Sequence, residues 1–210
     1  MLGRISTVVS RFVAPRVTPN GARAFCGEAP LVEGYTTPMK VMHWLMGGAM
    51  LGIVGTVQIA MGQPKSPEGN EKRGKLMNAH KSLGLLVGIL MPLRLAMRFT
   101  SKIPAALPGH MIEQLAGHAG HLALYTGLIV MPASGIAMGY YGGKGLPFFG
   151  TVIPGATQSN GNIAKNSFKV HKQFGQYWKF VIPLHVGGAL THVFKGQPIF
   201  TRMNPLVKTA

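Results

Sequence analysis

FKVHKQFGQYWKFVIPLHVGGALTHVF, residues 168–194, places His171, His185 and His192 inside a run that is otherwise apolar enough to read as a membrane crossing. A crossing takes about 20 largely apolar residues. An ionisable side chain within one is costly and therefore marks function. His171 and His185 are fourteen residues apart. On an α-helix that spacing is about 1400° of rotation, within roughly 40° of four whole turns, and about 21 Å of rise. The two imidazoles thus leave one face of the helix at two depths of a hydrocarbon core about 30 Å thick.

Three further apolar runs precede this one. The first, 39–62, is opened by Tyr35-Thr36-Thr37-Pro38, which offers an N-cap hydroxyl and a proline for the first helical turn. The second, 76–97, carries His80 and Lys81 near its start and Arg94 and Arg98 near its end. The third, 112–141, contains Pro132, which predicts a kink or tilt, and closes on Tyr140 and Tyr141 at an aromatic interface. Between the first two runs a polar stretch with Pro64, Lys65, Pro67, Glu68, Asn70, Glu71, Lys72 and Arg73 reads as a solvated loop. A Gly- and Asn-rich segment, 142–166, is longer than most connections and is expected to fold over one mouth of the bundle. The expected fold is all-α: one integral membrane four-helix bundle, up-down-up-down, over residues 35–205.

Composition agrees with a membrane chain. Of 210 residues, 47% are hydrophobic and only 12% charged, well below the charge content of soluble domains. The net charge of +16, from 21 Lys and Arg against 5 Asp and Glu, would by itself suggest nucleic acid. The basic residues instead flank apolar runs, where they meet anionic headgroups, so no nucleic-acid partner is expected. Those on one side, including Lys65, Lys72, Arg73, Lys75, Lys81, Lys144, Lys165, Lys169, Lys172 and Lys179, outnumber those opposite, and charge alone does not fix the orientation. Cys26 is the single cysteine, which excludes an intrachain disulfide and covalent haem attachment through Cys-x-x-Cys-His. Residues 1–27 carry Arg4, Arg11, Arg16 and Arg23 among serines and threonines, with no acidic residue before Glu28. That is the composition of a mitochondrial transit peptide, and it predicts a multi-pass protein of the mitochondrial inner membrane.

His43 lies near the start of the first run and His80 near the start of the second, so in antiparallel neighbours they sit at opposite depths. His171 then shares a level with His80, and His185 with His43. Each pair offers two nitrogens and no Cys, Asp or Glu, whereas zinc wants four tetrahedral ligands. An iron porphyrin held at both axial positions fits the count, and two pairs mean two haems. Gly47, Gly84, Gly175 and Gly188 with Ala189 follow the four histidines by one turn, where a flat macrocycle needs a missing side chain. Ordinary small-residue packing between membrane helices explains such glycines equally well. His192, seven residues beyond His185 on the same face, is the rival ligand. His121 on the third run, three residues after His118, is a further secondary candidate, and His110 reads as a packing group. Arg94 and Arg98, with Lys40, Lys81 and Lys172, are placed for haem propionates, and the two arginines alternatively for a quinone. Ser82 and Thr191 are candidate partners for the ligands' second ring nitrogen. With both axial positions filled, oxygen activation at the metal is disfavoured and outer-sphere electron transfer is the natural task.

The ordered set of motifs resembles the bacterial-type cytochrome b-561 family, which includes the cytochrome b subunits of formate dehydrogenases and nickel-iron hydrogenases. The resemblance rests on Tyr35-Thr36 with His43-Trp44, and on His80-Lys81-Ser82 with Gly84 and Arg94-Leu95. It continues through His121 with Leu124-Tyr125, Pro132 and Gly135, and ends on His171, His185-Val186, Ala189, His192 and Arg202-Met203. It implies two b haems with ligands at His43, His80, His171 and His185, and quinone-linked electron transfer. In single-subunit members it also implies exchange of electrons between superoxide and quinone at opposite faces. The chain departs from the family in its transit-like extension and in Pro183, two residues before His185. The resulting expectation is a di-haem b, quinone-linked oxidoreductase with ubiquinone as substrate. The alternative is an accessory or anchoring subunit of a larger respiratory-chain complex, since almost no soluble sequence is available for a substrate site. A transporter is disfavoured by the absence of internal repeats and membrane carboxylates.

Overall fold

The computed structural model describes residues 33–208; the transit-like segment lies outside the described residues. The chain forms α1 (Thr37–Met61), α2 (Pro67–Thr100), α3 (Met111–Tyr141), β1 (Leu146–Phe148), β2 (Thr151–Ile153), α4 (Gly161–Trp178), α5 (Val181–Phe194) and α6 (Ile199–Met203). It is a helical membrane bundle. α1, α2 and α3 are each long and apolar enough to cross a bilayer. Large apolar side chains such as Leu51, Ile89 and Leu122 point outward, as a lipid solvent permits.

Three boundaries differ from the sequence reading. The polar stretch expected to form the first loop is helical from Pro67, so α2 has 34 residues and is about 51 Å long. Its start obeys the capping rules. The Ser66 hydroxyl accepts the Gly69 N–H at 3.1 Å, Pro67 fills the first turn and Glu68 meets the positive end of the dipole. The 142–166 segment contains the only strands among the described residues, an antiparallel hairpin with Leu146 opposite Ile153. α4 then begins at Gly161, where the Asn160 side chain accepts the Ile163 N–H at 3.1 Å. The expected last span, 168–194, is two helices broken after Trp178. Pro183 supplies no N–H, and its ring collides with the carbonyl four residues earlier, that of Lys179, the capping residue of α4.

α1 packs on α2, α2 on α3, and both α4 and α5 on α3. Buried Met46, Ala49, Val87 and Leu128 form the centre, with Met42, Met50, Ile53, Leu83 and Tyr125 around them. In lipid, apolar burial does not drive helices together, and close packing of small residues does. A Cβ on Gly52 would lie 2.9 Å from Leu83 Cδ1, and one on Gly88 3.2 Å from Pro132 Cβ. At Gly127 it would fall inside the Trp178 indole, whose Nε1–H donates to the Ala123 carbonyl at 2.8 Å. The first leg of the broken last span is therefore keyed onto α3.

Candidate functional site

The two halves of the last span bring their histidines to different partners. On α4, half-buried Ala164, Ser167, His171 and Phe174 and buried Trp178 form the inward-facing stripe, and the His171 ring centroid lies 6.1 Å from that of His80 on α2. On α5, His185 lies 6.1 Å from His43 on α1. An imidazole nitrogen binds a metal at about 2.0 Å, so two rings sharing one ion from opposite sides have centroids roughly 6 Å apart. The four histidines proposed from spacing are thus brought together in the two expected pairs.

The second ring nitrogens differ between the pairs. His80 Nδ1–H donates to the Ile53 carbonyl at 3.0 Å. His171 Nδ1–H is shared between the Met131 carbonyl and Ser134 Oγ, each at 3.0 Å. Such bonds fix the tautomer and leave the Nε2 lone pair free. In the other pair, Arg94 Nη2 donates to His43 Nδ1 at 3.1 Å. The His121 ring lies 5.3 Å from His185. Ser82 and Thr191 do not serve as expected. Ser82 donates to the Asn78 carbonyl and accepts Phe149 N–H, tying the hairpin to α2, while Thr191 donates to Gly188.

His192 is engaged elsewhere: its Nδ1–H donates to Gln197 Oε1. Arg98 is half-buried one turn beyond Arg94, and Lys81 and Lys172 are exposed beside His80 and His171. Lys40 is buried, its ammonium donating to the Val207 carbonyl at 2.9 Å. Trp44, adjacent to His43 with ring centroids 5.6 Å apart, lines an open groove of about 380 Å³ with Phe200, Asn204, Pro205 and Leu206. Its Nε1–H donates to the Met203 carbonyl at 2.8 Å, pinning the C-terminal segment that forms the opposite wall.

The family model for prokaryotic cytochrome b561 matches residues 34–205, which span every element that carries these groups. The chain belongs to the prokaryotic cytochrome b561 family. It is 31% identical over 153 residues to "Probable superoxide oxidase CybB" of Yersinia pestis, covering 72% of this chain and 84% of that protein. It is 28% identical over 127 residues to "Cytochrome b561 homolog 1" of Escherichia coli K12, covering 60% and 72%. To "Cytochrome b561 homolog 2" of the same organism it is 32% identical over 123 residues, covering 57% and 65%. As a cytochrome b561-family member the chain is a membrane haem b electron-transfer protein.

The residues around the histidine pairs of this cytochrome b561 fit that cofactor. A Cβ added at Gly47, Gly84 or Gly188 would meet nothing within 4 Å, so open space adjoins His43, His80 and His185. Gly175 does not share this role, because its Cβ would lie 2.9 Å from Met131 Cε. Arg94 Nη1 is buried without a hydrogen-bond partner, a donor suited to a carboxylate at the cofactor's edge. What the sequence left hidden is the contribution of backbone. The Ile53 and Met131 carbonyls have no side-chain signal, whereas the His121 contact with His185 was foreshadowed by an ionisable group inside an apolar run.

Proposed function

We propose that this protein carries two b haems, one between His80 and His171 and one between His43 and His185, and passes electrons between superoxide and a quinone. The observation that supports this most is the pair of opposed imidazoles recurring at 6.1 Å in two places. Each haem, when bound, supplies a one-electron couple at its iron. The chain's residues do the rest. His80 with His171, and His43 with His185, would hold the two haems by their imidazoles, and with those positions taken the iron would supply electron transfer rather than oxygen binding. The Ile53 and Met131 carbonyls orient two of those rings, and Arg94 is placed for a propionate.

Exposed Lys81 and Lys172 flank the His80–His171 pair and form the side on which an anionic donor would be concentrated. The groove beside Trp44 adjoins His43 at the other pair and offers apolar walls to a quinone ring, with the Asn204 amide as its polar contact. Oδ1 of Asn204 already accepts the Leu206 N–H at 2.9 Å, so its amide NH2 is the donor left to meet a quinone carbonyl. Two superoxide anions give up one electron each and leave as dioxygen, while the quinone takes two electrons and two protons to become quinol. A relative carrying the name probable superoxide oxidase supports the donor. The composition of residues 1–27 supports the mitochondrial inner membrane, which import into isolated mitochondria with cleavage of the extension would test.

The decisive measurement is a reduced-minus-oxidised spectrum with haem stoichiometry on purified protein. Two haems per chain are expected, and His80→Ala and His171→Ala should lose the same one while His43→Ala loses the other. Colourless protein, or His80→Ala and His171→Ala losing different haems, would refute the assignment.

A further inference from the structure

Lys40 is the one charged side chain among the described residues that is fully enclosed, at 1% exposed, and the electron transfer proposed for the haems does not call on it. Enclosing an ammonium is costly unless strong acceptors meet it. One of its N–H groups goes to the Val207 carbonyl at 2.9 Å. One turn further along α1, Trp44 Nε1–H goes to the Met203 carbonyl at 2.8 Å. The donors are four residues apart on one helix face, and their acceptors are four residues apart on a C-terminal segment that runs antiparallel to α1. A turn lies between the two acceptors. Val207 N–H donates to the Asn204 carbonyl at 3.3 Å, with Asn204 and Pro205 at the first and second positions, where each is favoured. Asn204, Pro205 and Leu206, the residues between the anchored carbonyls, also line the groove beside Trp44. Upstream, the segment is fastened on two sides: Tyr35 N–H donates to the Arg202 carbonyl at 3.3 Å, and Arg202 Nη1 to the Ala105 carbonyl at 2.6 Å. Within the turn, the Leu206 side chain is 91% exposed and gives almost no packing. Beyond it, the anchor is Lys40.

Resting on the quinone reading of this groove, we propose that Lys40 is a positioning residue for the quinone. By holding the Val207 carbonyl it fixes the far end of the turn, and with it the Asn204 amide that meets the quinone carbonyl and the Leu206 side of the groove wall. It acts through the turn rather than on the quinone. A charge-assisted hydrogen bond is stronger than a neutral one, which suits a hold made on a backbone carbonyl. The lysine expected from the sequence to serve a haem propionate thus serves the wall of the substrate groove.

The test follows electron transfer to quinone alone. The haem-loaded full-length chain, reduced with dithionite, is mixed with a short-chain ubiquinone, and haem reoxidation is read by stopped-flow absorbance over a range of quinone concentrations. The wild-type chain is expected to saturate. Lys40→Met keeps the length and loses the donor, and is expected to raise the half-saturating concentration roughly fivefold or more with little change in the limiting rate, the mark of lost binding without lost chemistry. Deleting residues 205–210 should weaken binding too, and Lys40→Met added to the deletion should do nothing further, because its partner is gone. Unchanged half-saturation in Lys40→Met, or an equal effect of Lys40→Met with and without the deletion, overturns the positioning role; the groove reading survives if Asn204→Ala still weakens quinone binding. Reoxidation that does not saturate, or that ignores both Asn204→Ala and the deletion, overturns the groove reading itself. Hydrogen exchange read by mass spectrometry on the 204–210 peptide decides the matter even if Lys40→Met does not accumulate. The Leu206 and Val207 amides, both bonded to Asn204, should be protected in the wild-type chain, and rapid exchange of both there overturns the held turn without any variant.

Discussion

Replacing Gly127 by alanine tests whether packing against α3 holds the first half of the broken span in place. The added methyl would fall within the Trp178 indole, a side chain only 6% exposed. The indole must move, and with it the 2.8 Å bond from Nε1–H to the Ala123 carbonyl. Overpacking of this kind costs about 1–3 kcal/mol, and a lost buried hydrogen bond about 1 kcal/mol more. A total of about 2–4 kcal/mol lowers the melting temperature by roughly 4–16 °C in a chain of this size. Trp178 stands two helical turns beyond His171, so the shift should also loosen the haem proposed between His80 and His171, seen as faster haem transfer to apomyoglobin. The control is the same change in a Trp178→Leu background, where the smaller side chain can yield and Gly127→Ala should cost less than about 0.5 kcal/mol. Equal costs in both backgrounds, or an unchanged melting temperature in the single variant, would refute the argument.

Gly84→Leu should fill the open space beside His80 and reduce haem to one per chain without unfolding, whereas Gly74→Leu, equally open but in the polar extension of α2, should keep both; haemochrome assay with circular dichroism reads both. Ser134→Ala should retain the His80–His171 haem, because the Met131 carbonyl still accepts the His171 Nδ1–H; loss of that haem would assign the orienting role to the hydroxyl. Lys81→Glu with Lys172→Glu should slow reduction by superoxide at low ionic strength by tenfold or more and little at high salt, measured by stopped-flow absorbance. Glu113→Gln should leave the melting temperature unchanged, since the Lys195–Glu113 pair is about 40% exposed on both sides and such pairs contribute little.

The first three spans, the helical bundle and the histidine spacing were legible in the sequence because lipid imposes a long apolar period that few other environments require. The start of α2 is written in Ser66-Pro67-Glu68, a capping signal set within a stretch whose polarity otherwise matches a loop. The hairpin was not legible. Strands of three residues are too short to show a period, and this one depends on tertiary bonds to Ser82. The break in the last span was half visible: Pro183 announced a disturbance, and where it would fall follows from the carbonyl four residues earlier.

That break carries the broader point about how the pairs arise. A straight helix through His171 and His185 would hold both rings in phase by itself, yet the chain is interrupted between them, and both rings still meet a partner at 6.1 Å. The coordinating element must therefore be something other than the continuity of the last span. α3 is that element, because α4 and α5 each pack on it independently. It presents the Met131 carbonyl and Ser134 to His171, with Gly135 so close that a Cβ would lie 3.2 Å from the His171 Cε1. It gives Gly127 and the Ala123 carbonyl to Trp178, and His121 to His185. The helix that contributes none of the four opposed imidazoles thus sets the position of two of them. It does so through backbone carbonyls and missing side chains, features a search for ligating residue types passes over.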